Sequence, residues 1–593
     1  MTLPVFSRRS LSGGDVPALG ISIFFLGLLL LVSLPNHYNF RTYALDLGYY
    51  MQMCEFYLRG KFFVGWLTTA LPWADKGIAP PSVYVNWSVL LAVPFYVAGQ
   101  AWGLLVFQAL LFVVGGWGIY RIAQHLFGER GLALWSLVHY YGMWGIWSAA
   151  AFDFHEVAIA AAAIPWALLF HLRGRILSAL AAWLLALGSK EIFGFWGVFL
   201  WTGWAFLFRK TNFALTRTAL YLALLSGVYG LFLTLVGTLW AERSVGAVSR
   251  TSLYYAHLFQ PDPFAAYARQ IDQLWTGFPR EYSFLYLIKL LLKPKIIWAL
   301  LWESPNPTYM GIKSELYWSF LVSGGWAVFA APVFIWILLP IFLYKMLSTN
   351  YFMWGTLHHY GLELALMVPI LIAWVFRNHA WRRWGVPVTA LLAHITQLTL
   401  LDSRLSKWYD PVRHRWYQKQ HYESSYSYSA IHAGLEKIPS DTPVSAVSCL
   451  IPHIPSREKL YHFPAVGDAK YIALLQGKDA CTYPLSPAEY LSWVDSVLKV
   501  PEWHKIHDEA GLLILERRDL HDSSLNRSCE TANWLSLPTW SPPPRRGRGG
   551  SCQRLLRVGE ILRLPRLLSD KWTTKQQANK SNYESTFIHS ALP

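Results

Sequence analysis

The sequence predicts a polytopic all-α membrane protein of about eleven crossings, with a small extracytosolic α/β domain near its C-terminal end. Three observations predict this. Of 593 residues, 54% are hydrophobic and 15% are charged, whereas soluble domains carry roughly 25% charged residues. Apolar runs close to span length recur from Val16 to Leu400. From Ile438 to Arg518 they give way to short alternating segments. The 31 Trp, 32 Tyr and 33 Phe exclude disorder as the main state, and neither heptads nor Gly-X-Y triplets run through the chain.

The first apolar run, residues 16–34, follows Arg8 and Arg9 and lacks a small-residue cleavage site. It therefore reads as a retained anchor with a cytoplasmic N-terminus. The polar stretch 35–85, with Asp46, Glu55 and Asp75, then lies outside the cytoplasm. Further apolar segments fall at 86–120, 131–150, 155–171, 176–189, 192–208, 218–238, 315–329, 332–347, 360–376 and 384–400. Basic loops at 121–130, Arg173 with Arg175, 209–217 and 377–383 belong in the cytoplasm by the positive-inside rule. This requires 86–120 to make one net crossing, as a short half-helix before a full span. The outer face then collects Asp46, Asp153-Phe154-His155 and Lys190-Glu191, with segment 241–314 and everything from Leu401 onward.

Strands are expected at 444–448, 459–463, 471–475 and 512–516, with a helix at 487–498 among them. The domain reading is a membrane domain over 1–400, a small extracytosolic α/β domain over 401–520 and a disordered basic tail over 521–593. The net charge of +16 then reflects cytoplasmic loops and this tail, and implies no nucleic-acid partner. Five cysteines make no disulfide framework. Cys449 and Cys481 are placed to pair only if they meet in an extracytosolic domain.

Chemistry concentrates on the outer face. Asp46, just outside the first span, suits a general base that takes a proton from an acceptor hydroxyl, a ligand for a divalent metal, or a simple helix cap. Asp153, His155 and Glu156 sit at the mouth of a span, where such groups need partners or a wet cavity, or serve as an interfacial cap. Lys190-Glu191 interrupts an apolar stretch. Adjacent helical residues face apart, so Glu191 is expected to meet His155 and Lys190 an anionic substrate, unless the charges form a structural ion pair. His358, His359 and Tyr360 precede a span on the same face and suit a phosphate or a metal. Lys293 and Lys313 in the outer segment suit contact with lipid phosphate or simple solvation. The chain has no Gly-x-x-x-x-Gly-Lys-[Ser/Thr], no His-Glu-x-x-His, no Gly-x-Ser-x-Gly and no Asp-x-Asp. An enzyme built this way would draw its activated group from a lipid-linked donor.

Asp46-Leu-Gly-Tyr-Tyr-Met-Gln52, Asp153-Phe-His155, Lys190-Glu191, His359-Tyr360, Val444-Ser-Ala446, Pro452-His453 and Ser456-Arg457 occur in this order. In that order they resemble the prokaryotic multi-pass family of domain of unknown function 2079, which is similar to GT-C glycosyltransferases. The resemblance covers about Arg41 to Arg518. It implies a GT-C-like fold in the inner membrane and Asp46 as the leading catalytic candidate, a base or a metal ligand. It also implies a polyprenyl-phosphate sugar donor, an envelope acceptor and contacts with membrane lipids. Gln52, Asp153, His155, Lys190, Glu191, His358, His359 and Tyr360 become substrate-binding candidates, and a divalent metal becomes a candidate cofactor. Two positions depart from the family pattern: Met51 stands where another acid is common, and Asn86 where a His is common. Two rival readings are a transporter or flippase using the same charges to line a path, and a non-catalytic membrane protein.

Overall fold

The computed structural model describes residues 15–61, 68–69, 86–245, 254–263, 289–290, 292–304, 309–401, 411–477 and 479–518. The expected disordered tail over 521–593 lies outside the described residues, as do Asp75 and most of segment 241–314. Residues up to Leu520 form one compact unit, so the helices and the C-terminal sheet belong to the same body.

The helical part opens with α1 (Val16–Tyr38) and α2 (Tyr49–Leu58), joined through a π-helical turn at Ala44–Gly48. A 3₁₀ turn at Trp87–Ala92 leads into α3 (Val93–Phe127), which breaks at Gly99 and Gln100 where φ and ψ leave the helical region. The short piece before the break folds tightly against the long piece after it. A Cβ on Gly103 would lie 1.8 Å from the Phe95 carbonyl oxygen, so only glycine permits this approach. The bundle continues with α4 (Arg130–Gly142), α5 (Trp144–Ala150), α6 (Val157–Leu172), α7 (Ile176–Leu187), α8 (Ile192–Phe208) and α9 (Phe213–Val245). It ends with α10 (Pro294–Trp302), α11 (Ile312–Val322), α12 (Val333–Met346), α13 (Leu362–Phe376) and α14 (Arg382–Leu400).

Among the described residues, four segments are long and apolar enough to cross a bilayer: Val16–Tyr38, Trp87–Phe127, Phe213–Leu233 and Tyr351–Phe376. Four shorter apolar helices accompany them: α6, α7, α8 and α12. The last long segment is 89% buried, so it forms the centre of the bundle, while leucines and phenylalanines of α1 and α9 face outward. Outward apolar side chains of this kind suit a lipid surround.

The six-stranded sheet has the order β1-β3-β2-β4-β6-β5, with β1 (Thr68–Thr69), β2 (Val444–Ala446), β3 (Leu460–His462), β4 (Tyr471–Leu475), β5 (Trp503–Glu509) and β6 (Leu512–Arg517). The first four in that order are parallel, and β6 returns antiparallel between β4 and β5. Two further helices flank the strands in sequence: α15 (Tyr428–Leu435) and α16 (Pro487–Leu498), the latter opened by a Ser486–Glu489 capping box. Phe40 and Ala44 belong to the hydrophobic core of the sheet, alongside Ile431, Val444 and Leu475. The segment leaving α1 is therefore held by the sheet, and it carries Asp46.

Candidate functional site at the junction of helices and sheet

A cavity of about 870 Å³ opens where the Arg41–Asp46 segment, the loop around Phe152, the His358–Tyr360 turn and the sheet loops meet. Its polar lining includes Arg41, Asp46, His358, His359, Arg413 and Asp479. The segment entering it is locally strained: Phe40 has φ +58° and His358 has φ +60°, values uncommon for residues with a Cβ. Phe40 is held there by rings of the sheet region, with His453 at 4.4 Å and Tyr428 at 6.0 Å between centroids. Strain maintained by surrounding structure is common at functional sites.

Asp46 sits on the π-helical turn, and a buried carboxylate on a neighbouring loop supports that turn. Asp153 Oδ2 accepts the Tyr43 N–H at 2.8 Å and the Leu47 N–H at 3.4 Å, and Oδ1 lies 3.8 Å from the Arg413 guanidinium. The Asp153 side chain is 0% exposed, so it positions the turn and does not line the cavity. The Asp153 loop is itself clamped by Gln108 of α3. The Gln108 side chain accepts the His155 N–H at 2.9 Å and donates to the carbonyls of Ala149 at 3.0 Å and Asp153 at 3.3 Å.

His155 stands directly behind Asp46. Its Nε2 is 3.0 Å from Asp46 Oδ1, and its Nδ1 is 3.0 Å from the Asp153 carbonyl. A carbonyl only accepts, so Nδ1 carries a proton. Nε2 and the carboxylate can then bond only by sharing a second proton, either as imidazolium and carboxylate or as imidazole and carboxylic acid. The Asp46 side chain is 30% exposed and that of His155 is 5% exposed, so the acid faces the cavity and the imidazole backs it. The His359 ring stacks on His155 at 3.6 Å. Neither His359 ring nitrogen has a hydrogen-bond partner among the described residues, although the ring is buried and borders the cavity. Leaving both nitrogens of a buried imidazole without a partner is costly.

The remaining predicted site residues are dispersed. Gln52 is buried and its side-chain amide donates to the Arg457 carbonyl. Lys190 pairs with Glu156 at 3.1 Å, and Glu156 also accepts the Tyr50 hydroxyl. The expected encounter of Glu191 with His155 is not made, since His155 bonds Asp46, and Lys190 forms an ion pair with the buried Glu156, the structural alternative. Glu191 borders a separate cavity of about 260 Å³ with Tyr255 and Glu363. Lys313 is buried instead of solvated, donating to the Met346 carbonyl at 3.0 Å and lying 4.3 Å from the Trp354 ring. His358 and Tyr360 do line the main cavity.

Sequence reasoning missed Arg41, Arg413, Gln108 and Lys345. Gln108 and Lys345 left a legible signal, each a lone polar residue inside an apolar run. Arg41 and Arg413 left none, because their role depends on a fold that brings residues 372 positions apart into contact. Cys449 and Cys481 both border the cavity as free thiols. Among the described residues no three His, Cys, Asp or Glu side chains converge as metal ligands. The donors around Asp46 therefore do not fit a resident divalent metal, and no step below is routed through one.

A family model described as "Predicted membrane protein (DUF2079)" matches residues 36–482. The chain belongs to the DUF2079 family. No curated protein matches it. The DUF2079 match begins at the end of α1 and ends just past Cys481, so it takes in the Asp46 turn, the His155 loop, the His358–Tyr360 turn and the cavity wall from the sheet loops. This member of the family is a membrane protein with apolar helices long enough to cross a bilayer.

Two expected results follow from the supports of the DUF2079 cavity. A Cβ on Gly145 would lie 2.3 Å from the Gly361 carbonyl oxygen, next to the His358–Tyr360 turn. Gly145→Ala should lower stability by about 1–3 kcal/mol through overpacking. Gly131→Ala, with nothing within 4 Å of the new Cβ, should be near neutral, and thermal unfolding in detergent compares them. The second concerns Asp153, whose carboxyl burial pushes up to about 7 against the opposing pull of Arg413. The unfolded chain loses this proton near pH 4. Between about pH 4 and 7 the folded state binds more protons, so this group's contribution to stability falls as pH rises. The difference in melting temperature between wild type and Asp153→Asn should therefore move against wild type across that window. A flat difference would contradict the assignment.

Proposed function

We propose that this protein is a GT-C-like membrane glycosyltransferase that moves a sugar from a polyprenyl-phosphate donor to an envelope acceptor on the outer face of the inner membrane. In this reading the shorter apolar helices complete a topology of about eleven crossings, and the sheet lies outside the cytoplasm. The single observation that carries it is the Asp46–His155 pair, an imidazole within hydrogen-bond distance behind a partly exposed carboxylate at the rim of a large cavity.

Asp46, as carboxylate, accepts the proton of an acceptor hydroxyl while that oxygen attacks the anomeric carbon. The bond from the anomeric carbon to the phosphate oxygen breaks in line, and the electron pair leaves with the polyprenyl phosphate. His155 holds the carboxylate in place and spreads the charge of the transferred proton. Arg41 and Arg413, which border the cavity, meet the growing negative charge of the leaving phosphate, with His359 as a further donor. Lys190, paired with Glu156, is assigned a structural role. The position of the cavity between apolar helices and a polar sheet suits a donor whose chain remains in lipid and whose sugar does not.

The test is transfer of radiolabel from polyprenyl-phosphate sugars to lipid and envelope acceptors, in membranes holding equal amounts of folded wild type or Asp46→Asn. Label transfer that requires Asp46 supports the reading. Unlabelled acceptors with every donor, combined with undiminished cellular function of Asp46→Asn, would sink it.

A further inference from the structure

A further cavity, of about 670 Å³, lies between the ends of α8 and α13 and the start of α12. Its polar rim is Arg209, Lys210, Arg377 and His379, with no carboxylate in the lining. Its walls are apolar, including Leu207, Pro332, Val333 and Val375. The two guanidinium groups are fixed over rings, Arg209 3.7 Å from the Phe206 centroid and Arg377 3.8 Å from Trp374. Among the described residues none of the three cations forms an ion pair. The nearby acid Glu129 is taken by Arg382.

We infer that this groove binds one anionic phospholipid, its phosphodiester held by Arg209, Lys210 and Arg377 and its acyl chains against the apolar wall. Three pieces of geometry favour a lipid over another occupant. Three cations gathered without a carboxylate attract an anion. Stacking on Phe206 and Trp374 pre-sets the guanidinium planes, whose forked donors match phosphate oxygens. The walls are side chains of apolar helices whose outer surfaces are themselves suited to lipid. The groove also lies at the opposite end of α13 from the His358–Tyr360 turn. Since α13 has 15 residues, it separates the two sites by about 22 Å at 1.5 Å per residue. The lipid bound here therefore belongs to the leaflet opposite the Asp46 cavity, and this assignment does not rest on the glycosyltransferase reading.

Native mass spectrometry of delipidated full-length protein tests it, with phosphatidylglycerol, phosphatidylcholine or inorganic phosphate added at equal concentration. Phosphatidylglycerol should be retained as a single preferred adduct. The combined variant Arg209→Gln, Lys210→Gln and Arg377→Gln should weaken it roughly a hundredfold, each cation near the headgroups contributing about a factor of five. Ala331→Trp keeps every charge and fills the groove, and it should also lose the adduct. It carries the test if the triple variant does not fold. Equal retention of phosphatidylglycerol and phosphatidylcholine would overturn the inference. So would full retention by Ala331→Trp, or displacement of the lipid by inorganic phosphate.

Discussion

Asp46→Asn should abolish sugar transfer, with a fall of at least about a hundredfold and up to about ten-thousandfold, the usual range for loss of a positioned base. Asparagine keeps the shape and can still bond His155, so the protein should fold and melt as wild type does. His155→Phe should cost less, because it leaves the carboxylate at the cavity rim and removes only the group that shares its proton. If Asp46→Asn retained full transfer, the proton-accepting role would be lost from the account.

The largest expected effect on stability comes from Glu363→Leu. Lys345 Nζ bonds Glu363 Oε2 at 3.0 Å, with side-chain exposures of 1% and 12%, and also donates to the Tyr360 carbonyl. Removing the acid leaves an ammonium buried between α12 and α13, a change that costs roughly 3–5 kcal/mol for a buried pair broken on one side. Lys345→Met with Glu363→Leu removes both charges and should recover most of the stability, since apolar pairs often replace buried ions at little cost. The double variant still lacks the donor that holds the Tyr360 carbonyl. Activity should therefore remain low while the melting temperature recovers, because His359 sits on the turn that carbonyl anchors. Recovery of both together would show that the pair matters only for folding.

These two tests probe features that differ in how far the sequence reveals them. The helix at Pro487–Leu498 and the strand at Tyr471–Leu475 fall at the expected residues, because turn signals and alternation mark their ends. β5 at Trp503–Glu509 was not expected: its burial pattern is mostly exposed or intermediate, so it carries little alternation to read. The apolar segment 131–150 is two helices broken at Met143, and 315–329 ends as a helix and a 3₁₀ turn, since hydropathy does not report backbone breaks. In the site, Asp46, His155 and His359 were legible as polar groups beside apolar runs. Their mutual contacts were not, because they depend on Asp153 and Gln108 fixing two loops from distant parts of the chain. The same reason explains why Asp153 stood out as a binding residue when it supports the Asp46 turn from within.

The most direct test of the central proposal is to count polyprenyl phosphate released by purified, reconstituted protein against sugar transferred to acceptor. One lipid phosphate should appear for each sugar moved, and neither should appear with Asp46→Asn. If intact donor instead crosses the bilayer with no polyprenyl phosphate released, the cavity serves transport and the transfer mechanism is wrong.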